Sequence, residues 1–251
     1  MQRLFLSLLA VLFILLPVSA RAAQVGASVA IDPDATCVVA VGMAITNYGP
    51  DPTFMGADHE QAIGNLHEAM YYYGSRLTLH RQGDALGQAL NAADAALPRS
   101  RWMGVSGNCI EDYSQMGPSL GRELTQALEA AGVPHDRPEP QTPADLASLD
   151  PDLACLGLFM QAKRSAEQRR SEADLRAMNA LGRGISFFIG RVLARLPAAT
   201  RGAQLASTLR SFRDDQVIDG FHQCAARMTT EMNRVRAVAA AAHARESAAP
   251  H

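Results

Sequence analysis

The 251-residue chain lacks the sequence features by which several common classes of protein are identified. Its longest apolar run, residues 4–16, is interrupted only by Ser7 and is shorter than the roughly 20 residues that a membrane-spanning helix needs. Its four cysteines include no C-x-x-C pair, the spacing that structural zinc sites and thiol oxidoreductases use. No segment alternates apolar and polar residues long enough to predict a half-buried strand. We therefore expect no membrane anchor, no metal site and no β-sheet.

Catalytic motifs are also absent. Ser106, in the segment WMGVSGNC, lacks the G-x-S-x-G spacing of a nucleophile elbow. His59 and His67 lie eight positions apart, about 12 Å along a helix, which is too far for one metal ion. Glu111 and Asp112 are neighbours, and neighbouring positions on a helix do not face each other. The sequence therefore predicts no catalytic residue, no cofactor and no metal ligand, which favours a protein that is not an enzyme.

The first 22 residues have the organisation of a secretory signal peptide. Arg3 supplies the positive charge, the apolar run follows, and the small residues of PVSARAA come next. The small-x-small rule places cleavage before Ala23, with cleavage after Ala20 as the alternative. We therefore expect a soluble protein that is periplasmic or secreted and has no transmembrane anchor once the signal peptide is removed.

A hexapeptide, DPD-x-x-C, is written twice in the chain, and two further landmarks recur in the same order. The offset between the copies falls from 118 to 116 to 115 positions, which requires only small deletions between landmarks. Because repeats keep their core positions and lose residues in loops, this pattern predicts a tandem repeat. The landmarks are DPDATC at 32–37 and DPDLAC at 150–155, YYYGSRL at 71–77 and FFIGRVL at 187–193 with Gly74 facing Gly190, and Cys109 and Cys224.

Each copy is predicted to contain four helices, which makes the fold all-α. ACLGLFMQAKRSAEQ, from residue 154, consists of good helix formers, so its counterpart TCVVAVGMAIT is also predicted to be a helix. We expect Asp34 and Asp152 to cap these first helices, and Ser106 to lie in a turn before the helix of Cys109. The remaining helices are expected at about 57–81, 84–97 and from near 107, and at about 172–196, 198–212 and from near 214, where Asp214 and Asp215 suit a helix start.

The aromatic block at 71–73 has two possible uses. Its three tyrosines could form a stacking surface for a ligand, or they could pack in the core. The equivalent block at 187–189 reads Phe-Phe-Ile and is wholly apolar. The comparison favours core packing for both blocks.

Four cysteines in an exported chain predict two disulfides. Of the three possible connectivities, the repeat favours the one that joins the first and last helices of each copy, Cys37 with Cys109 and Cys155 with Cys224. The fold is thus predicted to be two tandem disulfide-clamped helical bundles. The expected organisation is a signal peptide at 1–22, a helical repeat at 23–131, a proline-rich linker at 132–151, a second helical repeat at 152–244 and a flexible tail at 245–251.

Charge is divided unevenly along the chain. Residues 24–150 carry 6 Arg and no Lys against 16 acids, whereas residues 151–251 carry 14 Arg and 1 Lys against 9 acids. The acidic repeat could pack on the basic one, or the basic one could bind an anionic envelope component such as lipid headgroups or a polyanionic saccharide. Nucleic acid is not an expected partner. The candidate partner-binding residues are Arg164, Arg169, Arg170, Arg176 and Arg183, followed by Arg191 and Arg195.

The second half combines a cysteine-bearing helix, the segment SFFIGR and a late cysteine helix. In this it resembles short exported helical proteins of alphaproteobacteria, over about 70 residues of each copy. The resemblance implies an exported helical fold and brings no activity with it. The sequence as a whole favours an interaction or structural module of the cell envelope with an unknown envelope protein as partner. The alternative is a small-ligand carrier or an enzyme with a pocket between the two bundles.

Overall fold

The computed structural model of the chain describes residues 31–49, 58–130, 149–169, 171–212 and 214–247. These residues belong to one compact unit, Ile31–His251. The predicted signal peptide at 1–22 lies outside the described residues, as do residue 131 and residues 132–148 of the predicted linker.

The described part of the chain consists of helices and short connections and contains no strand, which confirms the all-α prediction. None of these helices has the length and apolarity that crossing a membrane requires. We call residues 31–130 the first half and residues 149–247 the second half. The helices are α1 (Pro33–Tyr48), α2 (His59–His80), α3 (Asp84–Ala96) and α4 (Trp102–Ala130) in the first half, and α5 (Pro151–Arg169), α6 (Glu172–Arg195), α7 (Ala198–Ser211) and α8 (Asp214–Ser247) in the second.

The first helix of each half is capped by the first aspartate of its DPD motif. The carboxylates of Asp32 and Asp150 each accept two backbone N–H groups of the first turn, at 3.0–3.4 Å. The proline that follows occupies the first helical position, where its missing N–H removes no helical hydrogen bond. The prediction that Asp34 and Asp152 are the caps is therefore wrong, because both residues already lie inside the first turn.

The fourth helix of the first half begins earlier than predicted. α4 starts at Trp102, and Ser106 lies inside it, donating a 2.9 Å hydrogen bond to the Met103 carbonyl oxygen. The prediction of a cap-forming turn at Ser106 is therefore wrong. The helix already begins at Trp102, whose ring packs 5.5 Å from the Tyr48 ring. In the second half, α8 begins at Asp214 as expected and continues to Ser247.

Both predicted disulfides are present. Cys37 of α1 is bonded to Cys109 of α4, with an Sγ–Sγ distance of 2.05 Å, and Cys155 of α5 is bonded to Cys224 of α8, at 2.01 Å. Each bond joins the first and fourth helices of one half. The fold therefore contains two disulfide-clamped groups of four helices, as the sequence predicts.

The aromatic blocks lie in a hydrophobic core that the two halves share. The tyrosines at 71–73 are buried on α2, and Phe187 and Phe188 are buried on α6. The Tyr72 and Tyr73 rings meet edge-on at 4.9 Å, as the rings of the two phenylalanines do. Edge-on pairs of this kind stabilise a core beyond the area that they bury. The prediction that both blocks pack in the core is confirmed.

Contacts in the two halves repeat at a fixed offset. Arg76 lies over the Tyr72 ring, and Arg191, 115 positions later, lies over the ring of Phe187, also 115 positions later. The second cysteines of the two halves are 115 positions apart as well, and the first cysteines are 118 apart. We call two residues corresponding when they are 118 positions apart in α1 and α5, or 115 apart in the three later helices of each half.

The helices α2 and α6 form the most extensive helix contact of the fold, and they run parallel. Asn179 lies beside Gly64, and Gly190 lies beside Ser75. The residue numbers therefore increase in the same direction along both helices, by the same amount between the two contacts. At the offset of 115 positions Gly190 corresponds to Ser75, whereas the alignment predicted from the sequence pairs it with Gly74.

Small residues allow this close approach. A Cβ at Gly190 would lie 2.6 Å from the Tyr72 carbonyl oxygen, a distance that real Cβ atoms do not adopt. A Cβ at Gly182 would overlap the Glu68 carboxylate in the same way. Gly190 needs to be glycine because the atom that it faces belongs to the backbone, whereas the Glu68 side chain beside Gly182 is flexible.

Candidate functional site

A cavity of about 520 Å³ lies between α1, α2 and α3 of the first half and α8 of the second. Its volume is in the range of 300–1,000 Å³ that is typical of small-molecule sites. Its lining is mainly apolar, and both halves contribute to it. The apolar lining residues are Val38, Val39, Met43, Ile45, Met70, Val235 and Ala239.

Five polar residues also line this cavity, Thr46 and Asn47 of α1 together with His67, Asp94 and Arg236. Tyr71 holds Arg236: the guanidinium lies 5.3 Å from the centre of the tyrosine ring and donates a 2.8 Å hydrogen bond to its hydroxyl. The Nδ1 atom of His67 lies 2.9 Å from the Ile63 carbonyl oxygen. This geometry assigns the hydrogen of the neutral ring to Nδ1 and leaves Nε2 as an acceptor.

The environment of His67 favours its neutral form. Burial lowers the pKa of His67, the positive charges of Arg183 and Arg236 lower it further, and the hydrogen bond to Ile63 opposes them in part. At neutral pH the cavity therefore presents donors from Arg236 and an acceptor from His67.

At two positions of this cavity, the corresponding residues of the two halves differ in size. A Cβ at Gly42 would meet no atom within 4 Å, whereas the corresponding Met160 is buried. Asp94 corresponds to Leu209, which is buried in the second half and would lie 2.8 Å from a Cβ at Gly157. In the second half, large apolar side chains thus occupy the positions that are small or polar in the first half.

The sequence predictions did not include the residues of this cavity. The signal that could have found them is the pairing of Gly42 with Met160 and of Asp94 with Leu209 in the aligned halves. A small and a polar residue in one half, at positions where the other half has large apolar residues, indicate a space that only one half fills.

The predicted partner-binding arginines are distributed over two helices. Arg164 is half-buried and Arg169 is exposed on α5, and Arg183 lies on α6 with its guanidinium 6.0 Å from the centre of the Tyr71 ring. Arg170 lies outside the described residues, and so does the side chain of Arg176.

Three other arginines of this basic half form ion pairs within it. Asp152, whose side chain is only 2% exposed, is bound by Nε of Arg191 at 2.9 Å and by Nη2 atoms of Arg195 and Arg227 at 2.6 Å. Glu231 binds Nη1 of Arg191 at 2.7 Å. Arg191 is therefore buried by these ion pairs, whereas Arg195, which also binds Asp150 at 2.9 Å, stays exposed. That these arginines contact a partner stays a prediction.

The corresponding carboxylate of the first half has a different setting. Asp34 forms an ion pair with Nε of Arg76 at 3.1 Å. Burial raises the pKa of Asp34, and the charge of Asp32 raises it further, whereas Arg76 and His80 lower it; the net shift is upward. Arg76 therefore offsets only part of the cost of burying the ionised Asp34 carboxylate.

A cluster of hydroxyl groups joins α4 to the central helices. The hydroxyl of Tyr113 donates a 3.0 Å hydrogen bond to Glu68 and lies 2.6 Å from Oγ of Ser186. Ser186 is 2% exposed and donates to the Gly182 carbonyl oxygen at 3.0 Å. Since a substrate could not reach Ser186, the cluster holds helices together. In the part of the chain that the structure describes, no three His, Cys, Asp or Glu side chains form a group that could hold a metal ion.

Comparison with known proteins adds no relative. No protein-family model matches the chain, and no curated protein and no solved structure matches it either.

Proposed function

We propose that the chain is an exported helical protein that holds a small, mainly apolar molecule in the cavity between its two halves. The observation that carries this proposal is a space of about 520 Å³ with mainly apolar walls and five polar residues among them. Sites for small molecules have this composition, because apolar walls supply affinity and a few polar groups fix the orientation of the ligand.

The polar residues limit the chemistry of the ligand. Arg236 offers donors for an acceptor group, and neutral His67 offers an acceptor for a hydroxyl. Asp94 disfavours a ligand with several negative charges, because like charges would be held close together. The ligand class is therefore an apolar body that ends in one carboxylate or hydroxyl group.

The compartment and origin of the protein are part of the same proposal. The signal-like residues 1–22 and the two disulfides support a periplasmic or secreted protein, since disulfides persist in oxidising compartments. The corresponding contacts of the two halves support an origin by tandem duplication. The first copy then kept or gained the open space beside Gly42.

The test uses the mature, oxidised chain and two simple probes, decanoate and decanol. We expect isothermal titration calorimetry to detect binding of both probes, and no binding of decyltrimethylammonium, which brings a cation to Arg236. Gly42→Met places in the cavity the residue that the second half has, and it should weaken binding at least tenfold. Gly107→Met, at another helical position with open space around a Cβ, is the matched control and should bind as the wild type does. Equal affinities in the two variants would refute the proposal.

A second candidate function is an interaction module of the envelope. Two large apolar side chains, Met103 and Ile218, are 56% and 67% exposed, and Arg169 is exposed on α5. They support a partner that is an envelope protein or an anionic envelope component. Co-sedimentation of the whole chain with phosphatidylglycerol vesicles distinguishes the two: salt-sensitive binding that Arg169→Gln weakens supports the anionic component, and no binding excludes it.

A further inference from the structure

A second cavity, of about 260 Å³, lies in the second half between α5, α6 and α8. Its lining is almost wholly apolar, with Ser165 and Arg169 as the polar members. Ile218 also lines it, although 67% of this side chain is exposed. The other apolar lining residues are Leu158, Ala162, Ala166, Ala177, Leu181, Val217 and Phe221.

The first half fills the corresponding place with aromatic rings. Ala166 corresponds to Tyr48, and Val217 corresponds to Trp102. The rings of Tyr48 and Trp102 lie 5.5 Å apart and pack against the core. The second half therefore has two small side chains where the first half has two large aromatic ones.

Phe221 compensates for this loss only in part. It corresponds to Ser106, and its ring packs 4.8 Å from the ring of Phe159. The space of about 260 Å³ remains although Phe221 is itself one of the lining residues. The fold of this half thus leaves open a place that the other half closes with Tyr48 and Trp102.

We infer that this cavity receives an aromatic side chain of an acidic partner polypeptide. The ring takes the place that Tyr48 and Trp102 occupy in the first half, and Ile218 at the cavity covers it. Aromatic anchors that enter a pocket contribute most of the affinity of protein interfaces. Arg169 is the charged residue of the lining, and its charge favours an acidic residue beside the anchor.

The inference does not depend on a ligand in the first-half cavity. Its probes are the peptide acetyl-Gly-Asp-Trp-Asp-Gly-amide and the same peptide with Ala in place of Trp. A third peptide, with Lys in place of both Asp residues, tests the charge. Binding to the whole oxidised chain is measured by NMR titration or calorimetry at low salt. The Trp peptide with Asp residues should bind, and the other two should bind at least tenfold more weakly.

Two kinds of variant locate the binding. Ala166→Tyr restores the residue of the first half inside the cavity and should abolish binding of the Trp peptide. Ile218→Asp changes an exposed side chain, so the fold is kept, and it should weaken binding at least tenfold. Met103→Asp is the matched control, because Met103 corresponds to Ile218 and is 56% exposed but lines no part of this cavity. It should bind as the wild type does.

Three outcomes would overturn the inference. The first is equal binding of the Trp and Ala peptides, and the second is undiminished binding by both Ala166→Tyr and Ile218→Asp. The third is self-association of the wild type in sedimentation experiments that Ile218→Asp abolishes, which would make a second copy of the chain the occupant. Binding of 3-methylindole without binding of the Trp peptide would indicate a small-molecule site and would also count against a polypeptide partner.

Discussion

Gly190 of α6 lies directly against Ser75 of α2, and the two residues correspond to each other in the two halves. Gly64 and Asn179 form a second contact between corresponding residues, three turns earlier. Contacts of a residue with its own counterpart arise where a two-fold axis passes between two copies. The two central helices therefore meet at positions that correspond in the two halves.

Gly190→Ala should destabilise the protein by about 1–3 kcal/mol, because a Cβ would force α2 and α6 apart at the Tyr72 carbonyl group. The measurement is guanidinium unfolding of the oxidised chain. Gly107→Ala serves as the control and should stabilise by about 0.5–1 kcal/mol, since a Cβ there meets no atom and alanine favours the helix. A neutral Gly190→Ala would show that the two helices do not pack this closely.

Asp152→Asn should cost about 3–5 kcal/mol, since it leaves three arginines around a buried site without their shared carboxylate. Asp34→Asn, at the corresponding position, should cost clearly less, because the carboxylate that it removes is only partly compensated by Arg76. Urea unfolding of both variants at pH 7 gives the comparison. Equal losses would contradict the different roles of the two aspartates.

The pH dependence of the Asp34→Asn variant provides a separate check. Because the pKa of Asp34 is raised in the folded state, the folded chain holds this proton at pH values where the unfolded chain has released it. The favourable contribution of protonated Asp34 is complete below its ordinary value of 3.8 and is lost as pH rises through the folded-state pKa. Relative to Asp34→Asn, the wild type should lose stability between pH 3 and pH 7. If the difference in unfolding free energy between the wild type and Asp34→Asn stays constant as pH rises, or grows in favour of the wild type, the pKa of Asp34 is not raised in the folded state.

The sequence predicted the features that follow from local chemistry or from the proposed repeat. Helix content, the pairing of Cys37 with Cys109, and the burial of the tyrosines at 71–73 followed from helix formers, spacing and an apolar counterpart. The position of the caps did not follow. Either aspartate of a DPD motif can cap a helix, and only the backbone shows that Asp32 does so.

The candidate site was harder to predict, because it depends on long-range packing. The cavity beside Gly42 needs α8 of the other half as its wall, and a sequence does not show which distant helix supplies it. The role of Arg191 was hard to predict for the same reason. A count of charges does not show which arginines are paired with buried carboxylates, as Arg191 is with Asp152. Composition therefore indicated a basic half, whereas the structure separates arginines that hold the core from those that face outward.

Removal of either disulfide should reduce stability by a similar amount. The bonded cysteines are 72 and 69 positions apart, and in the chain-entropy model a crosslink over a loop of this size contributes about 4 kcal/mol. Thermal unfolding of the double variants Cys37→Ala/Cys109→Ala and Cys155→Ala/Cys224→Ala should show comparable decreases in Tm. A loss confined to one pair would show that one half is structured without its crosslink.

His67 should make the stability of the protein fall on mild acidification. The pKa of His67 is lowered from its ordinary value of 6.5 by burial and by the charges of Arg183 and Arg236, so the unfolded chain binds a proton before the folded chain does. The neutral ring contributes its full stability above pH 6.5, and this contribution is lost as pH falls through that value towards the folded-state pKa. Relative to His67→Gln, the wild type should lose stability between pH 7.5 and pH 5, as measured by urea unfolding at several pH values. Arg183→Gln removes one of the neighbouring charges, so it should reduce the loss while leaving the imidazole in place. Identical pH profiles for the wild type and His67→Gln would show that the imidazole at the cavity wall is protonated as readily in the folded chain as in the unfolded one.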